Sequence, residues 1–121
     1  MGYGGATAIV EQPLRCNIMV RIFGQSKCFG PGIAELLERV DESHSLRQAT
    51  MQMNMAYSKA WRMLKVAEEN LGFPLLDSTT GGKGGGGALL TEKGRRFLLS
   101  YRAFERAVCA YADEAFLEYM G

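Results

Sequence analysis

The residues most able to do chemistry in this sequence are cations on one side of a single helical segment. Residues 56–71 have the apolar periodicity of an amphipathic helix. Polar side chains recur on one face of it at i, i+4, i+7 and i+11, namely Ser58, Arg62, Lys65 and Glu69, with Lys59 beside them. Lysine and arginine on an exposed helix can contact phosphate oxygens and the polar edges of bases. This face therefore favours binding to a polyanion.

The other face of the same segment is apolar. Its members are Tyr57, Ala60, Trp61, Leu64 and Leu71. We expect Trp61 to pack in the core, whereas Tyr57 and Ser58 lie at the N-terminal end, the part of a recognition helix that enters a major groove. Gly72 and then Pro74 predict where the helix ends.

A shorter helix must precede this one and fix its angle. Ser45 is a good N-cap for residues 46–52, and Asn54 stands where a tight turn needs a left-handed residue. Ala49 is small enough for the two helices to approach closely. The pattern predicts a helix-turn-helix, with Arg47 and Gln48 on its first helix.

A glycine-rich loop follows, from Gly81 to Gly87 with Lys83 inside it. Residues 74–80 and 88–90 read as strands on either side, so the loop is predicted to be the tip of a basic wing. A nucleotide-binding loop would need Ser or Thr after the lysine and then a helix. Here Gly84 follows Lys83 and a strand follows the glycines, which argues against a nucleotide site.

The last helix begins after Thr91, its predicted N-cap, and carries more apolar surface than a small domain can cover. One stripe has heptad-like spacing and a second lies beside it. We therefore predict helix-to-helix dimerisation. The candidate interface residues are Phe97, Tyr101, Phe104, Val108, Tyr111 and Phe116.

The N-terminal part is predicted to frame this unit. Residues 1–13 are expected to be loose, residues 14–23 alternate as a strand, and residues 28–29 begin a return strand after a turn. Residues 32–43 carry the stripe of an amphipathic helix. We divide the chain into the loose N-terminus, a winged helix-turn-helix domain over 14–96 with an N-terminal hairpin, and a dimerisation helix over 91–121.

Charge is distributed unevenly along the 121 residues. The net charge is only +1, but residues 45–96 have 8 basic and 4 acidic side chains, whereas the segments on either side are net acidic. The three cysteines are widely spaced, and no motif predicts a metal site, a cofactor or catalytic residues. Without a signal peptide or a long apolar run, we expect a soluble cytoplasmic protein that is not an enzyme and has no membrane partner.

Several of these stretches together resemble a known family. The runs Ser45-Leu46-Arg47-Gln48-Ala49, Tyr57-Ser58-Lys59-Ala60-Trp61, Leu71-Gly72-Phe73-Pro74-Leu75-Leu76, Thr80-Gly81-Gly82-Lys83-Gly84-Gly85-Gly86-Gly87-Ala88 and Leu90-Thr91, with Gly94, are similar to the N-terminal domain of ModE-type molybdate-responsive regulators and, more distantly, to LysR-type winged helices. The resemblance covers about residues 30–108. It implies a homodimer that reads a palindrome in double-stranded DNA.

The sequence also departs from that family. The family usually has Ser where Ala56 precedes the recognition helix, a small Ala at Thr50, and often basic wing residues at Ser78 and Leu89. No part of this sequence matches the molybdate-binding region, so the resemblance does not imply molybdate sensing. Fewer phosphate contacts would weaken DNA binding.

We therefore predict a mostly α fold with a small β part (α+β), a winged helix-turn-helix with a long last helix. The leading hypothesis is a sequence-specific transcriptional regulator, and the alternative is a protein-interaction module with weak or lost DNA binding. The predicted DNA-binding residues are Ser45, Arg47, Gln48, Tyr57, Ser58, Lys59, Arg62, Lys65, Lys83 and Thr91.

Overall fold

A computed structural model describes residues 13–79 and 87–121 of the chain. The elements follow one another as β1 (Ile22–Phe23), β2 (Lys27–Phe29), α1 (Pro31–Ser43), α2 (Leu46–Gln52), α3 (Tyr57–Leu71), β3 (Leu76–Thr79), β4 (Gly87–Leu90) and α4 (Glu92–Met120). β1 and β2 form one antiparallel hairpin and β3 and β4 another. The α+β winged helix predicted from the sequence is confirmed.

α1 supplies the centre of the core. Its apolar stripe is buried, and Leu36, Leu37 and Val40 have no exposed surface. Pro31 occupies the first helical turn, where a missing N–H costs nothing. His44 ends the helix in the left-handed conformation, and its carbonyl accepts a hydrogen bond from the Ala88 N–H at 3.0 Å. This bond joins the wing to the α1–α2 connection.

The helix-turn-helix is built as the residue types predict. The Ser45 hydroxyl accepts the Gln48 N–H at 3.0 Å, and Asn54 has φ 57°, the left-handed turn conformation. Ala49 is fully buried between the helices. Thr50 is buried too, and its hydroxyl donates to the Arg47 carbonyl at 2.8 Å, so the extra polar atom is satisfied.

α3 starts without a side-chain cap, because Ala56 at its N-cap position has no hydrogen-bonding side chain. It ends at Gly72 with φ 87°. Its buried residues are Ala60, Leu64 and Ala67. The prediction that Trp61 packs in the core is wrong, because 49% of its surface is exposed. One residue on from Ala60 is a rotation of about 100°, which carries a side chain off the buried stripe.

The predicted strand over 14–23 is wrong over most of its length. Only Ile22–Phe23 pair with β2, which is three residues long and leads directly into Gly30 and Pro31. Alternating β-formers need a partner edge to become a strand, and β2 is too short to supply one. Residues 14–21 instead approach α4, where the Cys109 thiol lies 3.8 Å from the Ile18 carbonyl.

α4 has 29 residues and a length of about 44 Å at 1.5 Å per residue. Thr91 caps it by accepting the Gly94 N–H at 2.9 Å. Its buried residues, Gly94, Leu98 and Tyr101, all lie in its first third. None of the helices in the described ranges is both long enough and apolar enough to cross a membrane.

Two interhelical ion pairs hold α4 against α1. Arg95 makes a bidentate contact with Asp41 at 2.8 Å, and Arg102 makes another with Glu38 at 2.9 Å. Hydrogen bonding to Glu38 is the main cause that raises the pKa of Arg102. Partial burial opposes this effect, and the Glu105 carboxylate adds to it. The first part of α4 is therefore a fixed support for the rest of the fold.

Candidate nucleic-acid interface

The exposed face of α3 carries the candidate site. Ser58, Lys59, Arg62 and Lys65 are all exposed there, on the side opposite Ala60, Leu64 and Ala67. The structure therefore brings these four predicted residues together on one surface. The C-terminal end of α2 lies next to the start of α3, as the short turn at Asn54 requires.

The cations of this surface have no carboxylate partners. Among described residues, Arg39, Arg95, Arg96 and Arg102 each lie within 4.0 Å of a carboxylate. In the same part of the chain, no carboxylate lies within that distance of Arg47, Lys59, Arg62 or Lys65. An uncompensated cluster of positive charge attracts phosphates, and the surface therefore has a local charge that the net +1 conceals.

Two cation–aromatic stacks flank these side chains. The Arg47 guanidinium lies 4.9 Å from the centre of the Tyr57 ring, and the Lys65 ammonium lies 4.9 Å from the Trp61 ring. Each stack holds a flexible cation over an aromatic face. The exposed Trp61 is a member of this surface that the sequence reasoning missed. When the apolar stripe of α3 is drawn through Ala60, Leu64 and Ala67, Trp61 lies beside the stripe and not on it.

Two of the predicted contact residues also have structural roles. The Ser45 hydroxyl is occupied by the Gln48 N–H, and the Thr91 hydroxyl donates to the Pro74 carbonyl at 2.7 Å while accepting from Gly94. The side chain of Gln48 is exposed beside Arg47 on α2. Lys83, the predicted wing cation, lies outside the described residues.

The predicted dimer residues divide into two groups. Tyr101 is only 2% exposed, and it packs with Phe97 around the ring of Phe29 at centroid distances of 5.0 and 4.8 Å. Assigning Tyr101 to a dimer interface is therefore wrong, because the core of this chain already buries it, and Phe97 is mainly a core residue. Farther along α4, Phe104 is 54% and Tyr111 75% exposed, while Val108 and Phe116 are half-buried.

Within residues 13–79 and 87–121, no three side chains of His, Cys, Asp or Glu converge as metal ligands. The three cysteines are free thiols, and Cys28 is a buried residue of β2. What the arrangement offers is a convex surface of cations and aromatic rings on a helix.

Comparison with known proteins agrees with this arrangement. The family described as bacterial regulatory helix-turn-helix protein, lysR family, matches residues 34–95, which is half of the chain. The match includes the helix-turn-helix, the wing and the start of α4.

Individual relatives are named as regulators or as molybdenum-related proteins. The transcriptional regulator ModE of Haemophilus influenzae is 34% identical over 82 residues, which are 68% of this chain and 32% of that protein. The DNA-binding transcriptional dual regulator ModE of Escherichia coli K12 is 32% identical over 89 residues, 73% of this chain and 34% of its own length. The molybdenum-pterin-binding protein MopB of Rhodobacter capsulatus is 32% identical over 73 residues, 60% of this chain and 27% of that protein.

The chain spans about a third of the length of these relatives. The resemblance to ModE-type helix-turn-helix domains is confirmed over that part. With half of its residues matched and with the helices and wing in the expected order, this chain belongs to the lysR family of bacterial regulatory helix-turn-helix proteins.

Proposed function

We propose that this chain is a sequence-specific DNA-binding unit of a transcriptional regulator and that it acts as a homodimer on a palindromic site. The observation that carries the proposal is the exposed cationic face of α3, whose Arg62 and Lys65 have no carboxylate partner in the described ranges. The Escherichia coli K12 relative that shares this part of the chain is named a DNA-binding transcriptional dual regulator, which supports the same assignment.

The roles of the side chains follow from where they lie on the helix-turn-helix. α3 enters the major groove with Tyr57, Ser58, Lys59 and Arg62 directed to base edges. Arg47 on α2 contacts the phosphate backbone, and Lys65 lies one turn beyond Arg62 on the same helix. Lys83 and the glycine backbone of the wing contact phosphates next to the groove.

The dimer is proposed to use the exposed half of α4. Phe104 and Tyr111 present large apolar surfaces to solvent, with Val108 between them at heptad-like spacing. Two copies related by a two-fold axis would bury these side chains and place two α3 helices on one side of the pair. A palindrome with half-sites about one helical turn apart would match that symmetry.

The test is selection from a random duplex DNA pool at two salt concentrations. We expect a palindromic motif and an affinity that falls steeply with salt. Arg62→Ala should lower the binding free energy for the preferred base by about 1–3 kcal/mol and relax sequence choice. Lys83→Ala should weaken binding to all sequences alike. Arg106→Ala removes the same charge from an exposed position of α4 outside the candidate site and is the matched control.

The chain provides its own optical reporter for this test. Trp61 is the only tryptophan, and it lies exposed on the proposed DNA face. Its fluorescence should change on saturation with the selected duplex and not with a scrambled one. A folded dimer that enriches no sequence and shows no fluorescence change would rule out sequence-specific DNA binding.

A protein-interaction module is the second candidate function. Ser78 and Leu89 are exposed on the wing strands, and the outer half of α4 exposes large apolar side chains, among them Tyr111 and Leu117. In this case the chain would bind a partner through α4, and high salt would leave the affinity unchanged because no phosphate contacts are involved. Measuring the affinity of the chain for DNA and for such a partner as salt is increased distinguishes the two functions.

A further inference from the structure

A cavity of about 510 Å³ lies beside the candidate DNA face. It is formed between the first hairpin, the first turn of α1 and the N-terminal half of α3. Its apolar lining includes Phe29, Ile33, Met63 and Val66. This volume lies within the range of cavities that hold small organic molecules, which are roughly 300–1,000 Å³.

The charged side chains that the described residues contribute to the cavity lining are all cationic. Lys27 comes from β2, Arg21 directly precedes β1, and Lys59 and Arg62 come from α3, while none of the described lining residues is Asp or Glu. Among the described residues none of these four has a carboxylate within 4.0 Å. Four uncompensated positive charges around an apolar lining fit a molecule that is both anionic and apolar.

The turn of the first hairpin is held against α3, which keeps the backbone at Lys27 close to that helix. The Asn70 side-chain oxygen on α3 accepts the backbone N–H groups of Gln25 and Ser26 at 2.7 and 3.3 Å. The first turn of α1 adds to the positive potential, since Gly30 gives it no side-chain cap and it contains no acidic residue. Gly32 in that turn borders open space.

We propose that this cavity binds a small organic anion with a ring or branched aliphatic body and one acidic group. Its apolar body would lie against Met63 and Val66, and its acidic group would take charge-assisted hydrogen bonds from Arg21 and Lys27. Lys59 and Arg62 belong to both the cavity and the DNA face, and a bound anion lowers the positive potential there, so anion binding and DNA binding compete. This competition rests on the proposed function, whereas anion binding itself does not.

Anilinonaphthalene sulfonate is a suitable probe, because it combines an apolar ring system with one anionic group and fluoresces when its environment is apolar. Titrating the whole chain with it should reveal one site per chain. Phenylnaphthylamine, which has the rings without the sulfonate, should bind about tenfold more weakly. Lys27→Ala and Arg21→Ala should each weaken binding of the sulfonate about fivefold or more.

Matched controls separate the cavity from other apolar surfaces. Arg106→Ala removes a positive charge that does not line the cavity, and it should leave affinity for the sulfonate unchanged. Tyr111→Glu removes apolar surface from α4 and should also leave it unchanged. If Lys27→Ala and Arg21→Ala both bind the sulfonate as the parent does, or if Tyr111→Glu abolishes binding, the cavity proposal is overturned. Circular dichroism confirms that each variant is folded.

A second measurement tests the coupling to DNA. The sulfonate should raise the apparent Kd for the selected duplex in the parent chain, and this effect should shrink about fivefold in Lys27→Ala. Binding of the sulfonate with an unchanged Kd for DNA would overturn the competition. If no DNA sequence is selected, the proposed function fails, and the sulfonate titration still decides the cavity proposal on its own.

Discussion

The Tyr101 hydroxyl on α4 donates a hydrogen bond of 2.6 Å to the carbonyl of Val20. This contact joins the N-terminal segment to the long helix, 81 residues farther along the chain. Burial is the main cause that raises the pKa of Tyr101, with a further contribution from the Glu105 carboxylate. The ring itself packs edge-on against Phe29.

Tyr101→Phe tests the value of this contact because it keeps the ring and removes only the hydroxyl. We expect the free energy of unfolding to fall by about 1 kcal/mol. Limited proteolysis should cut the segment 13–21 faster than in the parent, since the Val20 carbonyl loses its partner. Tyr119→Phe, at a position 81% exposed near the end of α4, is the matched control and should change neither measurement.

Asn70→Ala should release the first hairpin from α3. The side chain satisfies two backbone N–H groups of the hairpin turn and donates to the Val66 carbonyl at 2.9 Å. Its loss should cost about 1–2 kcal/mol in urea unfolding. Hydrogen exchange at Gln25 and Ser26 should accelerate, while Asn17→Ala at an exposed position should leave that exchange unchanged. Unaltered exchange in Asn70→Ala would contradict the role assigned to Asn70.

Two glycines near helix N-termini should respond in opposite directions to the same substitution. A Cβ at Gly94 would lie 2.7 Å from the Leu75 carbonyl oxygen, whereas a Cβ at Gly32 would meet nothing within 4 Å. Gly94→Ala should therefore destabilise the chain by about 1–3 kcal/mol. Gly32→Ala should stabilise it by up to about 1 kcal/mol, through helix propensity and lower unfolded-state entropy. Thermal unfolding of the two variants measures both effects.

The Asp41–Arg95 ion pair should make stability depend on acid pH. Hydrogen bonds from Arg95 hold the pKa of Asp41 below its ordinary value of 3.8, so the ionised carboxylate stabilises the folded chain above that pH. The contribution is lost as the pH falls below 3.8 and through the folded-state pKa. Urea unfolding of the parent and Asp41→Asn should therefore differ at pH 7 and converge in acid. A difference that persists at pH 2 would contradict this linkage.

Oligomeric state should depend on the outer half of α4. Tyr111→Glu places a charge in the proposed seam, and we expect sedimentation to show a shift from dimer towards monomer without loss of helical content. Arg106→Ala, on the opposite side of the helix, should leave the dimer intact. A parent chain that is monomeric at high concentration would remove the basis for palindrome recognition.

Much of the fold follows from local residue choice. Ser45, Asn54, Gly72 and Thr91 each act as the cap or turn residue that their types predict, because capping and left-handed conformations depend on a few neighbouring backbone groups. The exposed row of Ser58, Arg62 and Lys65 follows from helical periodicity, which is also a local property.

Contacts between distant segments decided the rest. Residues 14–21 have the composition of a strand, but the available partner was the side of α4 and not a free sheet edge. By sequence spacing Tyr101 lies on the predicted dimer seam, and only the packing of Phe29 against α4 shows that the core of this chain buries it. The cationic cavity joins Arg21 from before β1, Lys27 from β2, and Lys59 and Arg62 from α3, so periodicity within one element cannot predict it.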